Sequence, residues 1–346
     1  DGGGVVQLRE KAYRLYNAAA GLASDIVSSV AADASGRMWL ADRTGGLARV
    51  EEDGSLRAGD ELSRPPIYSN AVCIDARDRV WFGGGQSGLF CWQSGTSEAP
   101  IPLPTPRVDL HVLFLARNGD VWFAADPDTV GFYREDQLHL ISSADGFRRN
   151  IRCIAEDHAG CIWLGTSTGE LLCWDGNRCE VFGATRGFPQ QPVHIVHADA
   201  ANRLWIGTAG GLVLKDGEQF YRLTQAQGLT DDIIMQIVED DEERLWFAAR
   251  RGLFYAAKID LLAAAHGGSD GIVSHLFGHN QGLVGLNPTP NYQPAAAKGR
   301  DGRLWFATSQ GAGVGDTAKL PKNLPPPPVL VEEVQLDGRT LPSTLP

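Results

Sequence analysis

The sequence predicts an all-β chain built from seven repeats arranged in a ring, and three observations lead to this prediction. Seven of the nine tryptophans recur at intervals of 42, 41, 41, 42, 41 and 59 residues. Each of the seven follows an aliphatic residue or Met and has Gly or Ala two positions later, and five have an Asp six positions earlier. A period of about 40 to 45 residues in a strand-rich chain is typical of propeller blades, so we predict a seven-bladed β-propeller of four-stranded blades. The recurring tryptophans are Trp39, Trp81, Trp122, Trp163, Trp205, Trp246 and Trp305.

Length and composition agree with one large domain of this kind. The chain has 346 residues, of which 41 are Gly and 21% are charged, as expected for turn-rich β-structure. A repeat in which each unit needs its neighbours favours a single domain over two. The net charge of −11 and the lack of a Lys/Arg run disfavour nucleic-acid binding, which needs cations against phosphates. No stretch of 18 apolar residues occurs, so we expect no membrane contact by this chain.

The fourth repeat shows the pattern of one blade most clearly. Residues 157–160 and 175–177 have the composition of hairpin turns, in which Gly supplies the positive φ that such turns require. The first strands of the repeats are almost continuously apolar, as expected for strands packed on both faces between neighbouring blades. We interpret the tryptophans as apolar plates between blades for the same reason. The predicted strands of this blade are 151–156, 161–166, 170–174 and 178–182.

The two ends of the chain are predicted to share the seventh blade. Its strands 293–297, 304–308 and 312–315 are followed by Pro321 before a clear fourth strand. The N-terminal segment 11–16 is a strand candidate without a blade of its own. It can fill the fourth place and close the ring, which removes the exposed sheet edges that favour aggregation.

The remaining segments define the expected domain boundaries. Residues 1–10 are a leader, residues 11–324 form the propeller, and residues 325–346 are a Pro-rich linker and the start of a following β-sandwich domain. The interval of 59 residues predicts an insertion at about 256–275, in which residues 258–265 have the composition of a short helix. Since the chain begins without Met or a signal-like segment, we expect a fragment or a processed start.

The repeat unit resembles the two-component regulator propeller repeat. Its order is a strand, Asp-x-x-Gly-x-x-Trp, an apolar residue, Gly-Thr and a Gly-Leu turn. Repeat four matches with Asp157, Gly160, Trp163 and Thr166, and repeat five also matches well, whereas repeats three and six lose the Gly-Thr. The resemblance covers roughly residues 11–320.

This resemblance implies a function as well as a fold. It indicates a periplasmic, non-enzymatic sensor domain that serves as the signal input of a membrane-anchored, two-component-type regulator. The output part of such a regulator would be a histidine kinase, a diguanylate cyclase or a DNA-binding module. The implied partners are a small-molecule or oligosaccharide ligand, the neighbouring propeller and β-sandwich domains of the parent chain, and a second copy in a homodimer. No cofactor is expected.

The ligand site is expected at the mouth of the central channel. The loops before the first strand and between the second and third strands of each blade lie at the same end, because the strands alternate in direction. The residue nine positions before each tryptophan is always apolar, whereas the residue eleven positions before it is mostly polar. We therefore place the second set near the mouth. Its members are Ser28, Asn70, His111, Arg152, His194, Met235 and Pro294.

Further polar residues lie in the same loops, before the first strand of repeat four and in a loop of repeat six. On an acidic protein, arginines there can hold an anionic or hydroxyl-rich ligand through forked hydrogen bonds. The alternative interpretation is solvated loop charge. The predicted ligand-binding set is Asn70, His111, Arg148, Arg149, Asn150, Arg152, His194, Arg250 and Arg251.

No metal site or catalytic residue is predicted. The repeated Asp residues are interpreted as turn residues whose side chains accept backbone N–H groups. His194 and His197 are three residues apart on a predicted strand and therefore face opposite sides. His275 and His279 would share a face only on a helix, which Gly278 disfavours.

The six cysteines show no pairs with zinc-site spacing. Cys161 and Cys173 lie on adjacent predicted strands and can face each other in one register. A disulfide there would suit an oxidising compartment. The interpretation we favour from the sequence is that the cysteines are small buried hydrophobes.

Two other functions stay open from the sequence. A lyase of the streptogramin type, also a seven-bladed propeller, needs a His base and a metal at the channel mouth. His111 and His194 can approach that mouth, but no Glu occurs in the same positional set. The second alternative is a protein-interaction platform whose flat faces dock partners or a second copy. Metal binding with turnover would indicate the enzyme, and concentration-dependent mass would indicate the platform.

Overall fold

The computed structural model describes most of the predicted propeller and a short segment near the C-terminus. The described residues are 13–44, 46–58, 69–85, 88–93, 101–102, 109–126, 128–141, 150–268, 271–277, 287–289, 291–319, 334–336 and 339–341. Their regular structure consists of β-strands, one α-helix and short 3₁₀ turns. No helix among them combines the length and apolarity that a membrane crossing requires.

Seven four-stranded antiparallel sheets form the blades. Blade one comprises β2 (Val27–Ala32), β3 (Met38–Asp42), β4 (Leu47–Val50) and β5 (Leu56–Ala58). Blade two comprises β6 (Ala71–Ile74), β7 (Arg79–Gly83), β8 (Leu89–Gln93) and β9 (Ile101–Pro102). Blade three comprises β10 (Asp109–Leu115), β11 (Val121–Asp126), β12 (Thr129–Arg134) and β13 (Gln137–Ile141). Blade four comprises β14 (Ile151–Glu156), β15 (Ile162–Thr166), β16 (Leu171–Trp174) and β17 (Cys179–Phe182). Blade five comprises β18 (Val193–Ala198), β19 (Leu204–Thr208), β20 (Gly211–Asp216) and β21 (Gln219–Leu223). Blade six comprises β22 (Ile234–Glu239), β23 (Arg244–Ala249), β24 (Gly252–Ala257) and β25 (Ser274–Phe277). Blade seven comprises β26 (Ala296–Lys298), β27 (Leu304–Thr308) and β28 (Gly311–Gly315), together with the N-terminal strand β1 (Tyr13–Tyr16).

The first strands of the blades line the centre of the ring. Each contacts the first strand of the next blade, and β26 of blade seven contacts β2 of blade one, so that the circle is complete. These strands are apolar because both of their faces are covered by neighbouring blades. The seven recurring tryptophans are 0–5% exposed and pack in this interior, as predicted. The seven-bladed β-propeller is confirmed.

The ring closes by joining the two ends of the propeller in one sheet. Strand β1 pairs antiparallel with β28, from Tyr13 opposite Gly315 to Tyr16 opposite Ala312. The Tyr16 ring is 1% exposed and stacks on Trp305, with ring centroids 5.4 Å apart. Strand β1 is therefore the fourth strand of blade seven, as the sequence predicted.

Five blades share a carboxylate that ties a hairpin turn to the tryptophan of the same blade. In blade five, Asp199 Oδ1 accepts the backbone N–H groups of Ala201 and Arg203, at 2.9 and 3.0 Å. Its Oδ2 accepts the Nε1–H of Trp205 at 3.1 Å. The turn role of these residues is confirmed, and the bond to tryptophan is an addition that the sequence analysis missed. The equivalent residues are Asp33, Asp75, Asp157 and Asp240.

Three segments that lead into a first strand share a capped 3₁₀ turn. The turns are Ala18–Ala20, Ala184–Arg186 and Gln225–Gln227, and each ends at a Gly in the left-handed region, at φ of 77° to 110°. A residue with a Cβ adopts that backbone conformation only with strain, which is why Gly recurs there. The next residue in each case is a buried Leu or Phe that anchors the turn to the core.

The insertion contains a short helix, and the C-terminal segment contains a β-hairpin. Helix α1 (Lys258–Ala265) follows β24 and contacts β21 of blade five. Strands β29 (Val334–Leu336) and β30 (Arg339–Leu341) pair as an antiparallel hairpin. The predicted leader and most of the Pro-rich linker lie outside the described residues. The predicted strand 293–297 is wrong at its start, since β26 begins at Ala296.

A disulfide joins two strands of blade four. Cys161 and Cys173 are bonded, with their Cα atoms 6.0 Å apart, next to the pairing of β15 and β16. For this pair the favoured interpretation as free buried hydrophobes is wrong, because the register brings the two side chains to the same face. Cys73 and Cys153 are buried outside this disulfide.

Candidate functional site at the channel mouth

A β-bulge recurs near the start of the first strand in five blades. The pairing of the first and second strands skips one residue in blades one, three, four, five and six. The skipped residue is always the one eleven positions before the tryptophan. A bulge leaves its extra residue unpaired and re-aims its side chain. Five of the seven residues identified in the sequence eleven positions before a tryptophan are therefore bulge residues: Ser28, His111, Arg152, His194 and Met235.

Three of the residues eleven positions before a tryptophan are buried; Ser28 bonds within its own blade, and Asn70 and His111 link neighbouring blades. The Ser28 hydroxyl lies 3.1 Å from the carbonyl oxygen of Ala41 and is fully buried. Asn70 is 8% exposed, and its side-chain amide donates to Asp109 Oδ1 at 3.2 Å. His111 is 4% exposed, and its Nε2 lies 2.9 Å from the carbonyl oxygen of Ile151 in the next blade. These contacts join blades two, three and four rather than opening toward solvent.

Arg152 and His194 are the bulge residues of the neighbouring blades four and five. The Arg152 side chain is 22% exposed, and its contact with Asp126, at the end of β11, is long at 3.9 Å. His194 is partly buried, and within the described part of the chain no hydrogen bond is found for its ring. Burial lowers the pKa of His194 below its ordinary value, and the charge of Arg152 lowers it further. The charge of Arg152 therefore reaches His194, and among the described residues no hydrogen bond is found for either side chain.

The other predicted site residues divide into three groups. Asn150 lies beside Arg152, and among the described residues its buried Oδ1 has no hydrogen-bond partner. Arg250 and Arg251 are exposed, and the backbone N–H of Arg251 donates to Asp231 Oδ2 at 2.8 Å. Arg148 and Arg149 lie outside the described residues.

A chain segment that the sequence analysis missed forms the floor of the mouth. Residues 291–295, which we call the plug, precede β26 and cross the centre of the ring. The Gln293 N–H donates to the carbonyl oxygen of His111 at 3.0 Å, and the side-chain amide of Gln236 donates to the Tyr292 carbonyl oxygen at 3.3 Å. The 59-residue interval between the last two recurring tryptophans could have indicated the plug, because the helical insertion accounts for only part of the extra residues in that interval.

The remaining charged clusters are satisfied internally. On the opposite face, Glu239 accepts hydrogen bonds from Lys258 and His197. The bond from His197 lowers the pKa of Glu239 to about 2 against the effect of burial, and Lys258 lowers it further. An open depression of about 520 Å³ lies on blade one, and its Arg49 and Arg57 are paired with Glu51. This depression lies away from the mouth, and Glu51 pairs with two of its arginines.

No metal-binding cluster occurs in the part of the chain that the structure describes. There, no group of three or more His, Cys, Asp or Glu side chains is placed to hold a metal ion. The mouth instead offers a guanidinium, an imidazole and an amide oxygen. Such groups recognise anionic or hydroxyl-bearing molecules through hydrogen bonds.

Comparison with known proteins supports the resemblance stated above. The family described as two-component regulator propeller matches residues 146–168, which include β14 and β15 of blade four. This is the repeat whose motif matched best in the sequence. No curated protein matches the chain significantly.

Several solved structures share the fold at low sequence identity. The extracellular domain of a putative hybrid two-component system from B. thetaiotaomicron superposes with a TM-score of 0.73 and 16% identity, over 96% of this chain and 46% of that one. A catalytically inactive virginiamycin B lyase from Staphylococcus aureus, with quinupristin, gives 0.67 and 12%, over 87% and 98%. YCF48 bound to the D1 peptide gives 0.66 and 13%, over 93% and 100%.

These structural likenesses establish the fold and no more. The chain spans less than half of the length of the two-component relative, and that relative's full activity is not transferred by the comparison. The repeat match and the fold agree, because the matched segment lies in a regular blade of the ring. The chain is a seven-bladed β-propeller whose fourth blade carries the two-component regulator propeller repeat.

Proposed function

We propose that this propeller is an extracytoplasmic ligand-sensing domain, the signal input of a two-component-type regulator, and that it performs no chemistry of its own. The repeat match in blade four and the likeness to an extracellular two-component domain support the regulatory role. The Cys161–Cys173 disulfide supports an oxidising compartment such as the periplasm, because disulfides persist there and are rare in the cytosol.

One observation supports placing the ligand at the predicted mouth: Arg152 and His194 stand at equivalent bulges of neighbouring blades with hydrogen-bonding groups to spare. Among the described residues, Arg152 has only a long contact with Asp126, and the His194 ring has no partner. The Oδ1 atom of Asn150 adds a buried acceptor that has no hydrogen-bond partner among the described residues. A buried polar group without a hydrogen-bond partner lowers the stability of the folded chain. A ligand that forms hydrogen bonds with such groups would remove this cost.

The ligand class follows from these groups. Arg152 favours a carboxylate or another planar anion, which a guanidinium binds with two parallel hydrogen bonds. A neutral His194 ring and the Asn150 oxygen suit hydroxyl groups, since each can accept a hydrogen bond. An acidic or hydroxyl-rich small molecule, including an oligosaccharide, therefore fits this mouth best. The neighbouring domains of the parent chain would receive the signal.

A thermal-shift screen tests this proposal. The chain is heated with neutral and carboxylate-bearing oligosaccharides, organic acids and divalent metal salts. A compound at about 100 times its dissociation constant adds about 2.7 kcal/mol to the native state. We expect a shift with an acidic or hydroxyl-rich compound that is lost in His194→Ala and kept in Arg178→Ala, a variant at an exposed hairpin turn of blade four.

Two results would reject the proposal. A shift that survives both Arg152→Ala and His194→Ala would place the ligand elsewhere on the molecule. Metal-dependent conversion of a hit compound, followed by mass spectrometry, would replace the sensor by an enzyme. The homodimer remains a separate prediction, which sedimentation at two protein concentrations measures.

A further inference from the structure

The inner edges of the first strands need hydrogen-bond partners. Each first strand pairs on one side only, with the second strand of its blade. Its other edge faces the channel with free backbone N–H and C=O groups, and buried backbone groups are almost always paired. A propeller can leave these groups to water in an open channel. This chain instead provides a protein segment.

The plug supplies backbone partners to two blades on different sides of the channel. In blade three, the Leu113 N–H donates to the Gln293 carbonyl oxygen at 2.9 Å, and the segment forms an isolated parallel bridge with Val112. In blade one, the Val30 N–H donates to the Pro294 carbonyl oxygen at 2.9 Å. The plug therefore behaves as a short strand added to the inner edges of the ring.

The Gln293 side chain extends this pairing to blade four. Its Oε1 accepts the Ile154 N–H at 2.7 Å, and its Nε2 donates to the Ile154 carbonyl oxygen at 2.6 Å. A primary amide carries the same donor and acceptor as a peptide group, so it satisfies both inner-edge groups of Ile154 at once. Gln293 is 7% exposed, and Ile154 is fully buried.

These contacts require the plug to lie across the centre. A single short segment reaches blades one, three and four, and Tyr292 meets Gln236 of blade six, only if it spans the channel. The mouth described above is therefore a blind cup at this level rather than an opening through the ring.

The plug continues directly into blade seven. Ala295 accepts a hydrogen bond from the Ala307 N–H at 2.8 Å, and β26 starts at the next residue. Blade seven also holds β1, the strand that closes the ring. We propose that the plug is an internal latch: it seals the channel, holds blade seven to the opposite side of the ring, and links the mouth to the seam between β1 and β28.

Hydrogen exchange of the unliganded chain tests the latch, so its outcome does not depend on whether a ligand exists. Gln293→Ala removes both bonds to Ile154. Peptides covering β14 and β10, and peptides covering β1 and β28, are expected to exchange roughly tenfold faster or more, because an opened buried hydrogen bond exposes the amides that it protected. Peptides of the outer strands β17 and β21 should exchange as in the wild type.

Two further variants complete the test. Gln137→Ala alters an exposed glutamine in the outer strand β13 and should leave all exchange rates unchanged. Gln293→Glu has the same shape, keeps the acceptor and loses the donor, and it serves if Gln293→Ala does not fold. Unchanged exchange in β14 would overturn the seal. Faster exchange in β14 without a change at the β1–β28 seam would overturn the latch.

Discussion

At the scale of single residues, the carboxylate six positions before the tryptophan decides the local structure of a blade. Asp199 is fully buried and accepts bonds from Trp205, from two backbone N–H groups and from the Arg203 guanidinium at 2.8 Å. Burial alone would raise its pKa, but the bonds from Trp205 and Arg203 outweigh burial, so that the pKa of Asp199 is lowered. Blade three has Ala116 at this position, and Trp122 Nε1 is buried without a partner among the described residues.

Replacing this carboxylate is expected to destabilise the ring. Asp199→Ala leaves the Trp205 N–H and the Arg203 side chain without their acceptor, which should lower the free energy of unfolding by about 2–4 kcal/mol. Urea denaturation measures the change. Asp175→Ala, at an exposed hairpin turn, is the matched control and should have a much smaller effect. Equal losses in the two variants would contradict the account.

His194 is expected to make stability depend on pH. Its pKa is lowered in the folded chain, first by burial and then by Arg152, so the unfolded chain binds a proton more readily. The contribution of the neutral ring is fully present above about pH 6.5 and is lost as the pH falls toward the lower folded value. The melting temperature of His194→Asn should therefore fall less on acidification than that of the wild type. Parallel pH profiles of the two proteins would refute the assignment.

At the scale of elements, the bulge in the first strand decides which predicted site residues are accessible. The eleven-residue spacing identified the right position in the strand, but not the direction of each side chain. His111 turns toward the Ile151 carbonyl group of the next blade, whereas the side chains of Arg152 and His194 are partly exposed. Spacing along one strand carries no information about the neighbouring blade, so burial of His111 was not predictable from the sequence.

The disulfide of blade four gives a second prediction at this scale. Cys161 and Cys173 close a loop with a sequence separation of 12. A crosslink of this length stabilises the folded state by about 3 kcal/mol in the chain-entropy model. Thiol titration of the unfolded, unreduced chain should find four reactive thiols, and reduction should lower the melting temperature. Six reactive thiols before reduction would contradict the bond, and Cys161→Ser/Cys173→Ser should be insensitive to reductant.

At the scale of the whole molecule, the sequence predicted the ring and its closure but not its centre. Each blade carries its own tryptophan motif within one stretch of sequence. The number of blades, and the missing strand that the N-terminal segment supplies to blade seven, could therefore be predicted. The plug depends on a contact between Gln293 and Ile154, which are 139 residues apart. Ile154 belongs to the apolar set nine positions before the tryptophans, but Gln293 belongs to no motif, so no local pattern indicates that pairing.

The closure itself makes a testable claim about the whole ring. Tyr16 is 1% exposed and stacks on Trp305, so Tyr16→Ala should lower the free energy of unfolding by about 3 kcal/mol or more. Removing β1 entirely exposes the edge of β28 and should cause concentration-dependent association, which light scattering detects. Tyr221→Ala, in the outer strand β21, is the control with a partly exposed ring. A fully stable, monomeric truncated chain would contradict closure by β1.

The most direct test of the central claim is isothermal titration with the compound that gives the largest thermal shift. Arg152→Ala is predicted to bind it about tenfold more weakly or worse, since a hydrogen bond to a charged group contributes about 1.5–3 kcal/mol. Arg178→Ala should bind it like the wild type. Equal affinity in all three proteins would contradict a ligand site at the channel mouth.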